Sequence, residues 1–303
     1  MLAEAFGAGL FQRLRAEIGT LVDRLLAPTL DAGPCELVGT LAFPLPVMVM
    51  CDLLGVPVAD RTLVRPRAMA LAKAFHTSVS QEDRLAADGA VNWLRTYLGD
   101  LINEYARHPR GDLLSKLAES LEGPKALPRE EVVDNAAFLL FAGFETTMNS
   151  LAVGCEALSS HPAEYVRVRA DPTLASSAVE ETLRYDAPIQ GVARIVREPI
   201  DVDGHTLQKG RVVVLLVGSA NRDDSQFADP DRFDVGRAPN RHLTFGGGMH
   251  QCFGAALARA ELQALVTWLS RHVARLEPAD LPRRSPDAAM RSFIRVSANL
   301  RSC

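Results

Sequence analysis

Residues 245–254 read Phe245-Gly246-Gly247-Gly248-Met249-His250-Gln251-Cys252-Phe253-Gly254, and this stretch decides how the whole chain is read. One cysteine stands directly ahead of an apolar periodic run, Leu257, Ala260, Ala264, Leu265, Trp268 and Leu269, which predicts a helix beginning near Phe253. At a helix start the dipole and the free backbone N–H groups favour a thiolate. The glycines ahead of it let backbone approach a flat ligand closely and adopt positive φ. Phe245 can pack beside the sulfur and keep water away. A glycine-rich turn around a buried structural cysteine is the plain alternative. A zinc site from His250 and Cys252 lacks a second ligand pair at metal spacing, and a phosphate loop lacks both GxGxxG and GKS/T.

Upstream of this stretch, residues 221–240 are polar and proline-bearing and read as loop. Before them the period is two. Ala193 to Val196 and the β-branched run Arg211 to Val217 predict strands, and Asp203-Gly204 between Ile200-Asp201-Val202 and His205-Thr206-Leu207 is a two-residue hairpin signal. Earlier still the pattern is helical. A helix leads into Tyr185, and Pro188 closes that segment. Residues 129–160 form the longest helical run, ending before Pro162. Val132, Val133, Ala136, Phe138, Leu139, Leu140 and Phe141 make it apolar almost all round, as befits a helix in the middle of a protein. Further helices are expected over Leu85 to Tyr105, over Pro46 to Leu54, and along Leu10, Leu14, Ile18, Leu21, Val22 and Leu25 up to Pro28.

Composition narrows the function. The 303 residues are 48% hydrophobic, with a net charge of −4 and a pI of about 6.0, so the basic bias of a nucleic-acid binder is missing. Cys35, Cys51, Cys155, Cys252 and Cys303 are odd in number and widely spaced, which fits a reducing cytoplasm better than a disulfide framework. The longest uncharged run near the start, Leu37 to Cys51, is too short to span a bilayer, and no signal peptide is visible. The expectation is one mainly helical domain over residues 1–303 with small sheets, in a cytoplasmic protein free of membrane.

Three further groups need a reason. Ala142-Gly143-Phe144-Glu145-Thr146-Thr147 puts a glycine, an acid and two hydroxyls inside the apolar helix. Such a glycine costs about 1 kcal/mol relative to alanine. A packing glycine, with threonines bonded back to the preceding turn, accounts for it as readily as a site does. Glu181-Thr182-Leu183-Arg184 spaces an acid and a base three apart on a helix, which by itself is a surface ion pair. Arg194 follows ten residues after Arg184 and could be an ordinary surface residue.

Taken in order, these motifs resemble the cytochrome P450 family. Phe245 to Gly254 matches its FGxGxHxCxG haem-binding loop, and Ala142 to Thr146 matches its AGx(D/E)T motif. Glu181 to Arg184 matches its ExxR motif, and Leu41 to Pro57 is similar to the FPLPV…LLGVP segment of bacterial members. The resemblance implies the P450 fold, haem b (iron protoporphyrin IX) ligated by Cys252, and a haem pocket involving Phe245, Gly246, His250 and Gly254, with Arg194 and His250 on the propionates. It implies that Glu145 and Thr146 guide protons toward dioxygen. Phe138, Phe141, Ala142, Ile189, Gln190 and Val192 would line the pocket of an apolar, small-molecule substrate. Glu181, Arg184 and Arg232 would form a structural ion network, Arg232 being taken from Pro230-Asp231-Arg232-Phe233. Electrons would come from a separate ferredoxin-type donor, since the chain has no flavin or iron–sulfur segment.

The chain departs from the family at its start. No WxxxR-like or HxxxR-like segment precedes the first helix, so the family's first helices and strands are expected to be missing. The competing expectation is therefore a P450-like binding or scaffold protein without oxygenase activity.

Overall fold

The computed structural model describes residues 8–74, 79–122, 126–287 and 290–303. Helix α1 (Ala8–Leu26) buries Leu14, Ile18, Leu21 and Val22 at helical spacing. A short strand β1 (Pro34–Glu36) follows, then α2 (Pro44–Leu54). Two prolines sit in the first turn of α2, where their missing N–H costs nothing, and Gly55 ends it at φ 79° in the left-handed region. Next come α3 (Arg61–Lys73), α4 (Gln81–Arg107) and the short α5 (Leu113–Glu119). Ser80 caps α4 by accepting from the Asp83 amide, and Asp112 caps α5 from Ser115 in the same way.

Helix α6 (Arg129–Ser160) is the axis of the fold. It packs against α2, α4 and the later helices, and one buried cluster runs around it from Leu14 to Leu300. It is long and apolar enough to cross a membrane, yet 67% of its apolar window is buried inside the protein. The expectation of apolar burial all round fails at Phe138, which is 59% exposed. Gly143 has a packing reason, since a Cβ there would run into the Met50 thioether of α2.

After α7 (Pro162–Ala170) and α8 (Ala175–Tyr185) the chain turns to strands. β2 (Val192–Ile195) pairs antiparallel with β5 (Val212–Leu215), and between them β3 (Ile200–Val202) and β4 (His205–Leu207) form the hairpin. Its Asp203 and Gly204 have φ of 52° and 78°, as a type I′ turn requires. β5 is shorter than expected, because Val217 already opens the short helix α9 (Val217–Ala220). The loop over residues 221–240 leads to the cysteine and to α10 (Ala255–His272).

Strands β6 (Val273–Pro278), β7 (Arg283–Arg284), β8 (Phe293–Arg295) and β9 (Ser297–Ser302) finish the chain. β9 lies between β1 and β6, so the end of the chain pairs with its beginning. None of this sheet was expected: β1 is three residues long, and pairing with residues some 260 positions away leaves no local signal.

Glu261 on α10 is 1% exposed, and its Oε2 has no hydrogen-bond partner among the described residues. Burial pushes its carboxyl well above the ordinary range. The folded pKa is the raised one, so the associated stability is fully present below the ordinary carboxylate range and is lost as pH rises toward the folded value. Urea midpoints measured from pH 4 to 8 should therefore show Glu261→Gln gaining on the parent chain as pH rises, while a constant difference would contradict the assignment.

Candidate functional site

The cysteine loop is tied from both ends. The Cys252 amide donates to the Phe245 carbonyl at 2.9 Å, and Gly246 donates to Leu243 at 2.8 Å. Gly246 and Gly248 adopt φ of 66° and 63°, which a side chain would resist. Behind the loop, Leu243 donates to Asn221 Oδ1 at 2.7 Å, and the Thr244 hydroxyl donates to the Leu183 carbonyl of α8 at 2.7 Å. His242 accepts the Thr244 amide at Nδ1, which leaves Nε2 to donate to Glu180 at 3.1 Å. Arg259 of α10 closes the set with two bonds to Glu180, 2.7 and 2.8 Å. Its guanidinium carbon lies 4.5 Å over the Phe245 ring. Burial would raise the Glu180 pKa, but the bonds from Arg259 and His242 outweigh it and hold it down at about 2.

Cys252 itself is an exposed residue. Its sulfur is nonetheless crowded enough that burial raises the thiol pKa, against lowering by the Gly254 and Ala255 amides and by Arg259. The helix begins at Ala255, two residues later than the sequence pattern predicts, so the sulfur stands just ahead of its first turn. The amides are placed for a thiolate that a metal would form outright.

Glu181 and Arg184 have no exposed side-chain surface and meet through two bonds, 2.8 and 2.9 Å. Arg184 then donates to the carbonyls of Asn221, Pro230 and Arg232. The third charged partner is Arg237, whose Nε lies 3.1 Å from Glu181 Oε2. Arg232 is not that partner: its side chain is 60% exposed and comes no nearer than 4.0 Å to Glu164. Its backbone carbonyl is what enters the network, accepting from both Arg184 and Arg237. Asn240 and the Asp234 amide complete the shell of Glu181.

On α6, Glu145 is buried, and the Thr146 hydroxyl donates back to the Ala142 carbonyl at 2.9 Å. Thr147 is buried as well. Phe141 is buried and Ala142 half-buried. Ile189 bridges to Met290, and Val192 opens β2. Gln190 lines a polar cavity of about 390 Å³ with Tyr185, Asp186, Arg222 and Arg291, and none of the other five expected pocket residues shares it. Arg194 and His250 are exposed.

A family model described as Cytochrome P450 matches residues 67–280. The chain is 37% identical over 263 residues to the biotin biosynthesis cytochrome P450 of Bacillus subtilis (strain 168), covering 87% of this chain and 66% of that one. It is 38% identical over 294 residues to the cytochrome P450 monooxygenase PikC of Streptomyces venezuelae, covering 96% and 66%. It belongs to the cytochrome P450 family. The P450 fold is present: P450BioI, solved in complex with an acyl carrier protein ligated to hexadec-9Z-enoic acid, superposes with a TM-score of 0.92 at 34% identity. That match covers 99% of this chain and 77% of the other. The chain spans just under two thirds of the first curated relatives it matches.

The donor set fits the P450 cofactor. Among the described residues no three His, Cys, Asp or Glu side chains gather to hold a bare metal ion. A single cysteine sulfur with two amide donors suits an iron whose remaining ligands would come with a macrocycle. Sequence reasoning missed Arg237, Asn240, Glu180, His242 and Arg259. Arg237 and Asn240 lie in the stretch 221–240, which the sequence marks only as polar loop, and only the tertiary contacts distinguish its charges.

Breaking a buried ion network at one member costs about 3–5 kcal/mol. Glu181→Ala and Arg237→Ala should each lower the urea midpoint by an amount of that order. Arg232→Ala, which keeps the carbonyl, should stay within about 0.5 kcal/mol of the parent, as exposed substitutions do. An Arg232→Ala loss equal to that of Arg237→Ala would return Arg232 to the network.

Proposed function

We propose that the chain is the haem-thiolate part of a monooxygenase that oxidises a small, apolar organic molecule with dioxygen. The observation that carries this is the loop of Cys252: one cysteine, closed onto Phe245 through its amide and facing the amides of Gly254 and Ala255. Cys252 would ligate the iron of haem b, and Arg194 and His250 would hold its propionates. Bound there, the haem supplies the activation of dioxygen, to which the thiolate contributes electron density. Phe245 would keep water from the sulfur, and Gly246 would let the backbone approach the bound haem closely.

Glu145 and Thr146 would move protons. Thr146 spends its own hydrogen on the Ala142 carbonyl, so its oxygen is turned to accept from water or substrate and can pass a proton only when that bond switches. Phe138, Phe141, Ala142, Ile189, Gln190 and Val192 are the residues proposed to contact the substrate. The fatty acyl chain carried by the P450BioI complex supports an apolar substrate class. A separate ferredoxin-type protein is proposed to deliver electrons, in the cytoplasm. The second reading is a P450-like binding or scaffold protein without oxygenase activity.

Cys252→Ser should abolish the thiolate-type Soret shift of the reduced, carbon-monoxide-treated protein. Loss of that shift in Cys155→Ser instead would move the ligand to α6. A normal shift without turnover would select the second reading.

Thr146→Ala should leave haem binding intact while reducing equivalents escape as peroxide. A step of one residue turns Thr147 about 100° around the helix, so Thr147→Ala should change coupling less. The measurement is peroxide formed per reduced nicotinamide consumed. Equal coupling in the parent chain and Thr146→Ala would remove Thr146 from the mechanism.

A further inference from the structure

We infer that Arg259 is a positioning residue for the sulfur loop: clamped by Glu180, a carboxylate it shares with His242, it seats the Phe245 ring and holds a fixed positive charge against the turn that carries Cys252. The inference rests on the haem-thiolate reading above. Two bonds of 2.7 and 2.8 Å fix the guanidinium fork on Glu180, a geometry that a lysine cannot reproduce. The same carboxylate takes Nε2–H from His242, a residue whose side chain is 3% exposed. His242 in turn holds the Thr244 amide, one residue ahead of Phe245. Arg259 then covers that ring at 4.5 Å, the distance of a cation–π contact. Phe245 accepts the Cys252 amide through its carbonyl, so ring and sulfur belong to one closed turn. A chain of contacts therefore runs from α8 through Glu180 and Arg259 to the ligand loop.

The charge has a second consequence. Arg259 covers the ring of Phe245, and Phe245 is closed onto Cys252 through its carbonyl, so the guanidinium charge stands against the turn that carries the sulfur. Reduction of an iron held by Cys252 would add one negative charge to the iron–thiolate unit. A neighbouring positive charge favours that state, and outer groups of this kind tune metal centres.

The test uses the haem-loaded chain and three variants, Arg259→Met, Arg259→Lys and Glu180→Gln. Arg259→Met should make reduction harder by about tenfold in the equilibrium, which is 59 mV for a one-electron couple. Arg259→Lys keeps the charge and should recover most of that shift. Glu180→Gln removes the opposing negative charge and should move the potential the other way. Shifts of the same sign in Arg259→Met and Glu180→Gln would mean a merely loosened loop and would overturn the electrostatic claim, as would no shift in Arg259→Met. A second readout needs no haem. In the haem-free protein, amide exchange over residues 244–252 should quicken about tenfold in Arg259→Met, while amides of α4 stay unchanged. Unchanged exchange in the loop would overturn the positioning claim. Absence of any carbon-monoxide spectrum in the unsubstituted chain would sink the haem-thiolate reading, and the exchange arm would still decide whether Arg259 seats the loop.

Discussion

Glu181 and Arg184 face each other with no side-chain surface left to water, and the sulfur-bearing half of the protein is hung on that pair. Charges buried this deeply are tolerated only when every lone pair and proton is matched. The matching comes from the loop over residues 221–240. Its carbonyls at Asn221, Pro230 and Arg232 take the Arg184 protons, and its Arg237, Asn240 and Asp234 amide fill the oxygens of Glu181. A stretch with no regular structure thus acquires one conformation. It delivers the chain to His242 and the cysteine turn in a set orientation.

Helix α8 serves both ends of this arrangement. Glu181 faces inward to the ion network, while Glu180, one residue earlier, faces α10 and holds His242 and Arg259. Adjacent carboxylates on different faces of one helix therefore fix the approach to the sulfur and the support behind it. Helix α6 contributes by packing. Gly143 admits Met50 of α2 at close range, and the Thr146 hydroxyl spends its proton on its own helix, so a polar turn sits in an apolar rod without leaving that donor unsatisfied.

One side of the molecule remains open. In β2 and β5, Ile195, Val212, Val214 and Leu215 are all at least half exposed, and β5 has no partner but β2 among the described residues. Met249 and Phe253, which flank the cysteine, are exposed too. A two-stranded apolar sheet is marginal in water unless something packs on it. The solved relative retains nearly a quarter of its length outside the matched part.

The cysteine turn, the long central helix, the hairpin at Asp203-Gly204 and the acid–base spacing of Glu181 and Arg184 were legible because each is local. Periodicity, a glycine needing positive φ and a three-residue spacing on a helix are written within a few positions of one another. The short helices α3, α5 and α7 and the sheet joining β1 to β9 were not legible, being too short or too distant in sequence to leave a pattern. The choice of Arg237 over Arg232 had the same character. Both are arginines in one polar loop, and composition cannot say which turns inward. The sequence by itself determined the family, the ligand cysteine proposed for it and the helical framework. Only the tertiary structure decided which charges are buried together, because a carboxylate selects its partner by the desolvated space around it, and that space is assembled from segments far apart in the chain.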